Sequence, residues 1–222
     1  MLHKTRGIVF RFTRYGETSI IVTIFTELFG LQTYIVNGAR SKSGKGKIAL
    51  YQPLTLLDMV VYHRENAPIL RIKEVKCFHP YQTLTTDFRK STIALFLCEI
   101  VNKSVKEQTH THELCGFLFD AFIVLDTEPM QVENFHLIFL VQLSRHLGFG
   151  PYNLNEIATP FAADEPEQKI LEQLLTTNYE KPIAMTQTQR RGLLDVLLRF
   201  YSTHMDNFGE VRSLAVVREL IN

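Results

Sequence analysis

A chain of 222 residues with 45% hydrophobic side chains is long enough to bury a good core, as one large unit or two small ones. Three scattered cysteines exclude a disulfide framework, and the first ten residues lack the apolar run and small-residue cleavage site of a secretory leader. The most apolar stretch, Leu137 to Leu143, falls far short of the roughly 18 to 20 residues of a membrane span, so a soluble, cytoplasmic protein is expected.

The net charge of +1 hides an asymmetry. Residues 1–80 hold twelve Lys/Arg against five Asp/Glu (+7), and residues 81–222 hold the remaining twelve against eighteen (−6). This split implies a basic surface for a polyanion joined to a body with other partners.

From Gly7 to about Cys77 the hydrophobic period is two and β-branched and aromatic residues dominate, which argues for strands. Three runs come first, Ile8 to Thr13, Ile20 to Phe25 and Leu31 to Val36. Tyr15-Gly16-Glu17 and Phe29-Gly30 separate them, short enough for antiparallel hairpins. Two more runs, Leu54 to Tyr62 and Ile69 to Phe78, flank the polar turn Arg64 to Pro68. Five short strands in roughly 75 residues predict a small closed barrel of the OB-fold type. Between the third and fourth, Asn37 to Lys47 is rich in Gly and Ser and carries four positive charges. It predicts a mobile cationic loop on the barrel rim that does not pack into a core.

After His79-Pro80 the spacing turns helical. Ile93, Phe96, Leu97, Ile100 and Val101 recur at three- and four-residue steps, as do Leu114, Leu118, Ala121, Phe122 and Leu125. A third helix is predicted from about Val132 to Leu147, ended by Gly148 and Gly150-Pro151. Capping boxes at Asp164 and Thr186 start helices near 165–177 and 187–204, a last helix covers about Val211 to Ile221, and Pro151 to Phe161 reads as irregular. The expected class is α+β, with a barrel domain over 1–80 and an all-α domain over 81–222.

Most chemistry is excluded by detail. Gly38 and Gly44-Lys45 are one residue too far apart for a Walker phosphate cradle, and Gly46 stands where Ser or Thr must hold magnesium. His110, His112 and Cys115 lack the fourth ligand of a zinc site, and solvated histidines at a helix start are the plainer reading. No nucleophile elbow or other catalytic signature occurs, so no enzyme and no cofactor is expected; His136 and His146 read as packed or surface-edge histidines.

The basic constellation withstands these tests. Lys4, Arg6, Arg11 and Arg14 near the first strand, Arg40, Lys42, Lys45 and Lys47 in the loop, and Arg71, Lys73 and Lys76 on the fifth strand are the candidate DNA-binding residues. Gathered on one flank, they bind phosphates without reading sequence and with steep salt dependence. Tyr15, Tyr34 and Tyr51 are the aromatics considered for stacking unpaired bases, although a strand tyrosine is more often core.

Several segments then go beyond general physics: Thr5-Arg6-Gly7-Ile8-Val9, Tyr15-Gly16-Glu17-Thr18-Ser19 with Ile21-Val22, Phe25-Thr26 before Phe29-Gly30, Asn37-Gly38-Ala39-Arg40-Ser41, and Pro53-Leu54. In this order they resemble the N-terminal domain of the RecO recombination mediators. Phe139 to Leu143, leading to Leu147-Gly148-Phe149-Gly150-Pro151, is similar to a helix and turn in the same family's C-terminal part. The resemblance implies an OB-fold followed by helices, and a DNA repair and recombination role without turnover. Such a protein binds single- and double-stranded DNA, anneals complementary strands, and works with RecR and the C-terminal tail of single-strand-binding protein so that RecA loads. A bacterial protein, nucleoid-associated during repair, is implied.

Many members carry a four-cysteine zinc motif after the Gly-Phe-x-Pro turn. Tyr152 to Phe161 contains neither Cys nor His, so no metal is expected. The family's tail pocket is hydrophobic with a basic rim in the helical domain, and Arg190, Arg191 and Arg199 are its candidates by charge. The competing readings are a generic OB-fold module for single-stranded nucleic acid and a protein-interaction scaffold that does not bind DNA.

Overall fold

Five strands, Leu2–Tyr15 (β1), Ser19–Thr26 (β2), Gly30–Val36 (β3), Leu56–Tyr62 (β4) and Leu70–Cys77 (β5), close into a barrel in the order β1-β2-β3-β5-β4. Neighbours are antiparallel except β3 and β5, whose parallel pairing of Tyr34 with Leu70 closes the barrel. This is the OB-fold. The computed structural model describes residues 1–41, 47–106, 110–127, 131–158 and 165–220.

β1 runs longer than its hydrophobic pattern predicts. Residues 2–8 pair with β4 and residues 7–15 with β2, and a bulge between Val9 and Arg11 resets which residues face inward. Gly7 pairs on both sides at this crossing, where a Cβ would lie 2.7 Å from both Ile24 Cγ2 and Met59 Cε. The interior is filled by Val9, Ile20, Val22, Ile24, Tyr34, Tyr51, Leu57, Met59, Val61 and Leu70. Ala39 is buried among them, which corrects the expectation that no part of the Asn37 to Lys47 segment packs into a core. Lys47 opens a 3-10 turn, Lys47–Tyr51, that seats Tyr51 in the interior.

The helices are Phe88–Ser104 (α1), Thr111–Thr127 (α2), Phe135–His146 (α3), Asn155–Ala158 (α4), Glu165–Thr176 (α5), Gln187–His204 (α6) and Leu214–Leu220 (α7). The Thr186 capping box forms as its spacing predicts, whereas the Asp164 box lies outside the described residues. The third predicted helix begins as a 3-10 turn, Val132–Asn134, and one helical turn, α4, occupies part of the segment expected to be irregular.

Two compact units result. One joins Met1–Tyr81 to Val105–Phe122, and the other joins Gln82–Ser104 to Ile123–Asn222. In the first, α2 packs against the barrel through the Phe78–Phe119 ring contact at 5.2 Å and a hydrogen bond from Thr111 Oγ1 to the Glu27 carbonyl.

In the second unit, the Gly-Phe-Gly-Pro turn has a clear physical reason. Gly148 adopts φ +84° after α3, and Phe149 stacks on His204 and meets Tyr201 edge-on. A Cβ on Gly150 would sit 2.5 Å from the Arg145 backbone nitrogen, and the Arg145 guanidinium donates to the Pro151 and Leu175 carbonyls. Gly150→Ala is therefore expected to destabilise this unit by about 1–3 kcal/mol, read as a lower urea midpoint at unchanged slope. An unchanged midpoint would show that the turn has room to spare.

Candidate nucleic-acid interface

Strand register places the candidate side chains. Because β-strand side chains alternate, the residues opposite in parity to the interior set point outward. Pairing aligns Arg11 with Thr23 and Thr33, and Thr13 with Ile21 and Ile35, across the outer face of β1, β2 and β3. Ile35 pairs with Arg71 on β5, Arg71 with Tyr62 on β4, and Tyr62 with Leu2 on the first half of β1. A belt of outward residues thus passes round the barrel, with Arg71 between its two faces.

The basic residues divide into three groups. Lys4, Arg11, Arg14, Lys47 and Arg71 are exposed, and among the described residues none has an acidic partner. Lys47, Arg71 and Lys73 also line one groove of 560 Å³ with Ile35, Asn37 and Glu74. Lys73 and Lys76 form surface pairs with Glu74 (3.5 Å) and Asp58 (3.3 Å). Such pairs contribute little and exchange readily for a phosphate.

Arg6 and Arg40 are already engaged. Arg6 grips Glu27 with two nitrogens, at 3.0 and 2.6 Å, and its guanidinium lies 5.0 Å from the Phe119 ring. This hydrogen bonding holds the Glu27 carboxyl below its ordinary range and raises the Arg6 guanidinium, so the pair is ionised and closed on itself. Arg40 donates to the Gly16 and Ser19 carbonyls, bracing the β1–β2 turn. Lys42 and Lys45 lie outside the described residues.

The aromatic candidates are corrected in part. Tyr34 and Tyr51 are interior, 0% and 3% exposed, and burial pushes the Tyr51 phenol up to about 12. Tyr15 is 53% exposed. Sequence reasoning overlooked Tyr62, 48% exposed, although it stands out of phase with Leu57, Met59 and Val61. That phase was the available signal.

Other candidates resolve into structural roles. His112 Nδ1 lies 3.0 Å from Glu27, Cys115 is buried with its thiol pushed up to about 12, and among the described residues no group of three or more His, Cys, Asp or Glu can hold a metal ion. Burial drives the His136 pKa down to about 3, so it remains neutral at ordinary pH. Arg190 is half-buried and donates to Asn134 Oδ1 at 2.7 Å, and Arg191 donates to the Arg218 carbonyl at 2.9 Å. Both hold α6 in place, while Arg199 is exposed. No helix among the described residues is long and apolar enough to cross a membrane.

Comparison with known proteins agrees with this architecture. Residues 1–81 match the family model "Recombination protein O N terminal" and residues 85–173 match "Recombination protein O C terminal". The chain is similar to "DNA repair protein RecO" of Bacteroides fragilis, 35% identical over 243 residues and across the full length of both chains. It is likewise 34% identical to the protein of that name in Flavobacterium johnsoniae and 32% identical to that in Christiangramia forsetii, each over 99% of both chains. With both halves matched in order and the relatives aligned from end to end, the chain belongs to the RecO family.

Proposed function

We propose that the protein is a recombination mediator without enzymatic turnover. It binds single- and double-stranded DNA on its barrel, anneals complementary strands and, with RecR and the tail of single-strand-binding protein, helps load RecA during repair. The observation that carries this is the group of exposed cations, Arg11, Arg14, Lys47 and Arg71, that have no acidic partner among the described residues, on a barrel whose outer β2 and β3 face offers Thr23, Thr33, Ile21 and Ile35 rather than a base-reading set. Phosphate contacts hold a strand without occupying the base edges that must pair with its complement. The names of the relatives support a repair role.

For the acidic tail, α1 offers better chemistry than the arginines of α6. Phe88 and Leu95 are exposed two turns apart on that helix, beside exposed Arg89. An apolar, acidic peptide matches that combination.

The test is annealing of complementary oligonucleotides across a salt series, with and without single-strand-binding protein. Annealing is expected to be fastest in dilute salt and to weaken steeply as salt rises, at about 0.7 units of log affinity per log salt for each strand contact. Co-purification with RecR checks the partner independently. Failure to capture any oligonucleotide in dilute buffer would overturn the reading.

A further inference from the structure

We infer that the outer face of β1, β4 and β5 is a second single-strand track, separate from the β1, β2 and β3 face, with Tyr62 as its base-stacking platform. This rests on the annealing function proposed above, which requires two strands to be held at once. Register aligns three outward rows on this face. Leu2, Tyr62 and Arg71 form the first, Lys4, Val60 and Glu74 the second, and Arg6, Asp58 and Lys76 the third.

Only the third row is closed, because Arg6 is held by Glu27 and Phe119 of the same unit. The first two rows are open: Tyr62 and Leu2 are 48% and 46% exposed, with Lys4 and Arg71 exposed beside them. A tyrosine spanning the edge of a barrel core would be inward. Tyr62 instead stands out of phase with the interior set of Leu57, Met59 and Val61 and is 48% exposed, and an exposed aromatic ring is what a base stacks on.

Charge favours a polyanion here. Lys4, Arg71, Lys73 and Lys76 outnumber Asp58 and Glu74, and both acids are already matched by Lys76 and Lys73. Arg71 pairs in register with Ile35 on one side and Tyr62 on the other, so it stands at the seam of the two faces. A cation at this seam offsets repulsion between two phosphate backbones brought together there. A strand on each face would present its bases to a complement across one narrow strip of barrel.

The experiment uses the full chain with Tyr62→Ala, Tyr62→Phe and Lys4→Gln. Each is assayed for affinity toward a non-complementary oligothymidine and for the annealing rate of a mixed-sequence complementary pair. Tyr62→Ala is expected to slow annealing by about five- to a hundredfold, the worth of one base stack, and to weaken capture of a second oligothymidine by the same factor, while affinity for the first, held on the β1, β2 and β3 face, changes less than about twofold. Tyr62→Phe restores annealing because the ring remains, and Lys4→Gln slows it without touching the ring. Thermal unfolding confirms that these exposed substitutions leave the fold intact.

Wild-type annealing by the Tyr62→Ala and Lys4→Gln variants would overturn the second track and leave the DNA-binding reading standing. That is also the result a protein partner on this face would give. Equal losses of affinity for the first oligothymidine and of annealing would overturn it too, since one shared track would then serve both. A wild-type chain that captures no oligonucleotide would instead remove the underlying function.

Discussion

Replacing Arg11, Arg14 and Arg71 together with glutamine is expected to lower affinity for single-stranded DNA about tenfold or more in dilute salt, and to flatten its salt dependence by about 2 units of slope. The three are exposed and have no acidic partner among the described residues, so their removal deletes phosphate contacts without leaving a buried charge behind. Stability should change little, because surface substitutions away from packed features are usually within about 0.5 kcal/mol. Arg6→Gln makes the contrast. It breaks the grip on Glu27 and the contact with Phe119, so it should lower stability more than the salt slope. Filter-binding or fluorescence anisotropy across a salt series reads both quantities. A triple variant with an unchanged slope would take these arginines out of the interface.

Loss of the Asp126 carboxylate should produce the largest stability effect in the helical unit. Asp126 is fully buried near the end of α2, and its Oδ1 accepts from the backbone N–H groups of Gln82, Thr83 and Leu84 at 3.0, 2.8 and 2.8 Å. The buried Lys90 ammonium donates to the Asp126 carbonyl and to Thr83 Oγ1, each at 2.7 Å, and Thr83 Oγ1 in turn donates to the same carbonyl. Asp126→Ala leaves three backbone donors without acceptors beside a buried cation. The expected cost is about 3–5 kcal/mol, a large share of the about 5–15 kcal/mol that holds a domain together. Asp126→Asn keeps one acceptor oxygen and should lose about half as much. Urea unfolding followed by circular dichroism measures both, and an Ala variant within 1 kcal/mol of wild type would refute this role.

Particular residues show what was legible in the sequence. Alternation in Ile20 to Phe25 marked β2 because Ile20, Val22 and Ile24 are buried in turn, whereas β3 buries only Gly30 and Tyr34 and was marked by its β-branched and aromatic residues. The start of β1 was not legible, since Leu2, Lys4 and Arg6 point outward and no apolar alternation reports their pairing with β4. Thr186 announced α6 because capping is local chemistry, whereas Ala39 gave no sign of its burial, which depends on what surrounds it.

The arginines make the same point. Arg6, Arg11 and Arg40 are alike in sequence, yet Arg6 faces Glu27, 21 positions away, and Arg40 reaches the Gly16 carbonyl, 24 positions away, while Arg11 has no such acceptor among the described residues. By itself the sequence determined the strand and helix periods, the charge split and the family motifs, all of which are properties of neighbours along the chain. Only the tertiary structure decided which cations remain available, which tyrosines face outward and how the barrel closes. Those depend on partners distant in sequence, whose meeting is set by register and packing.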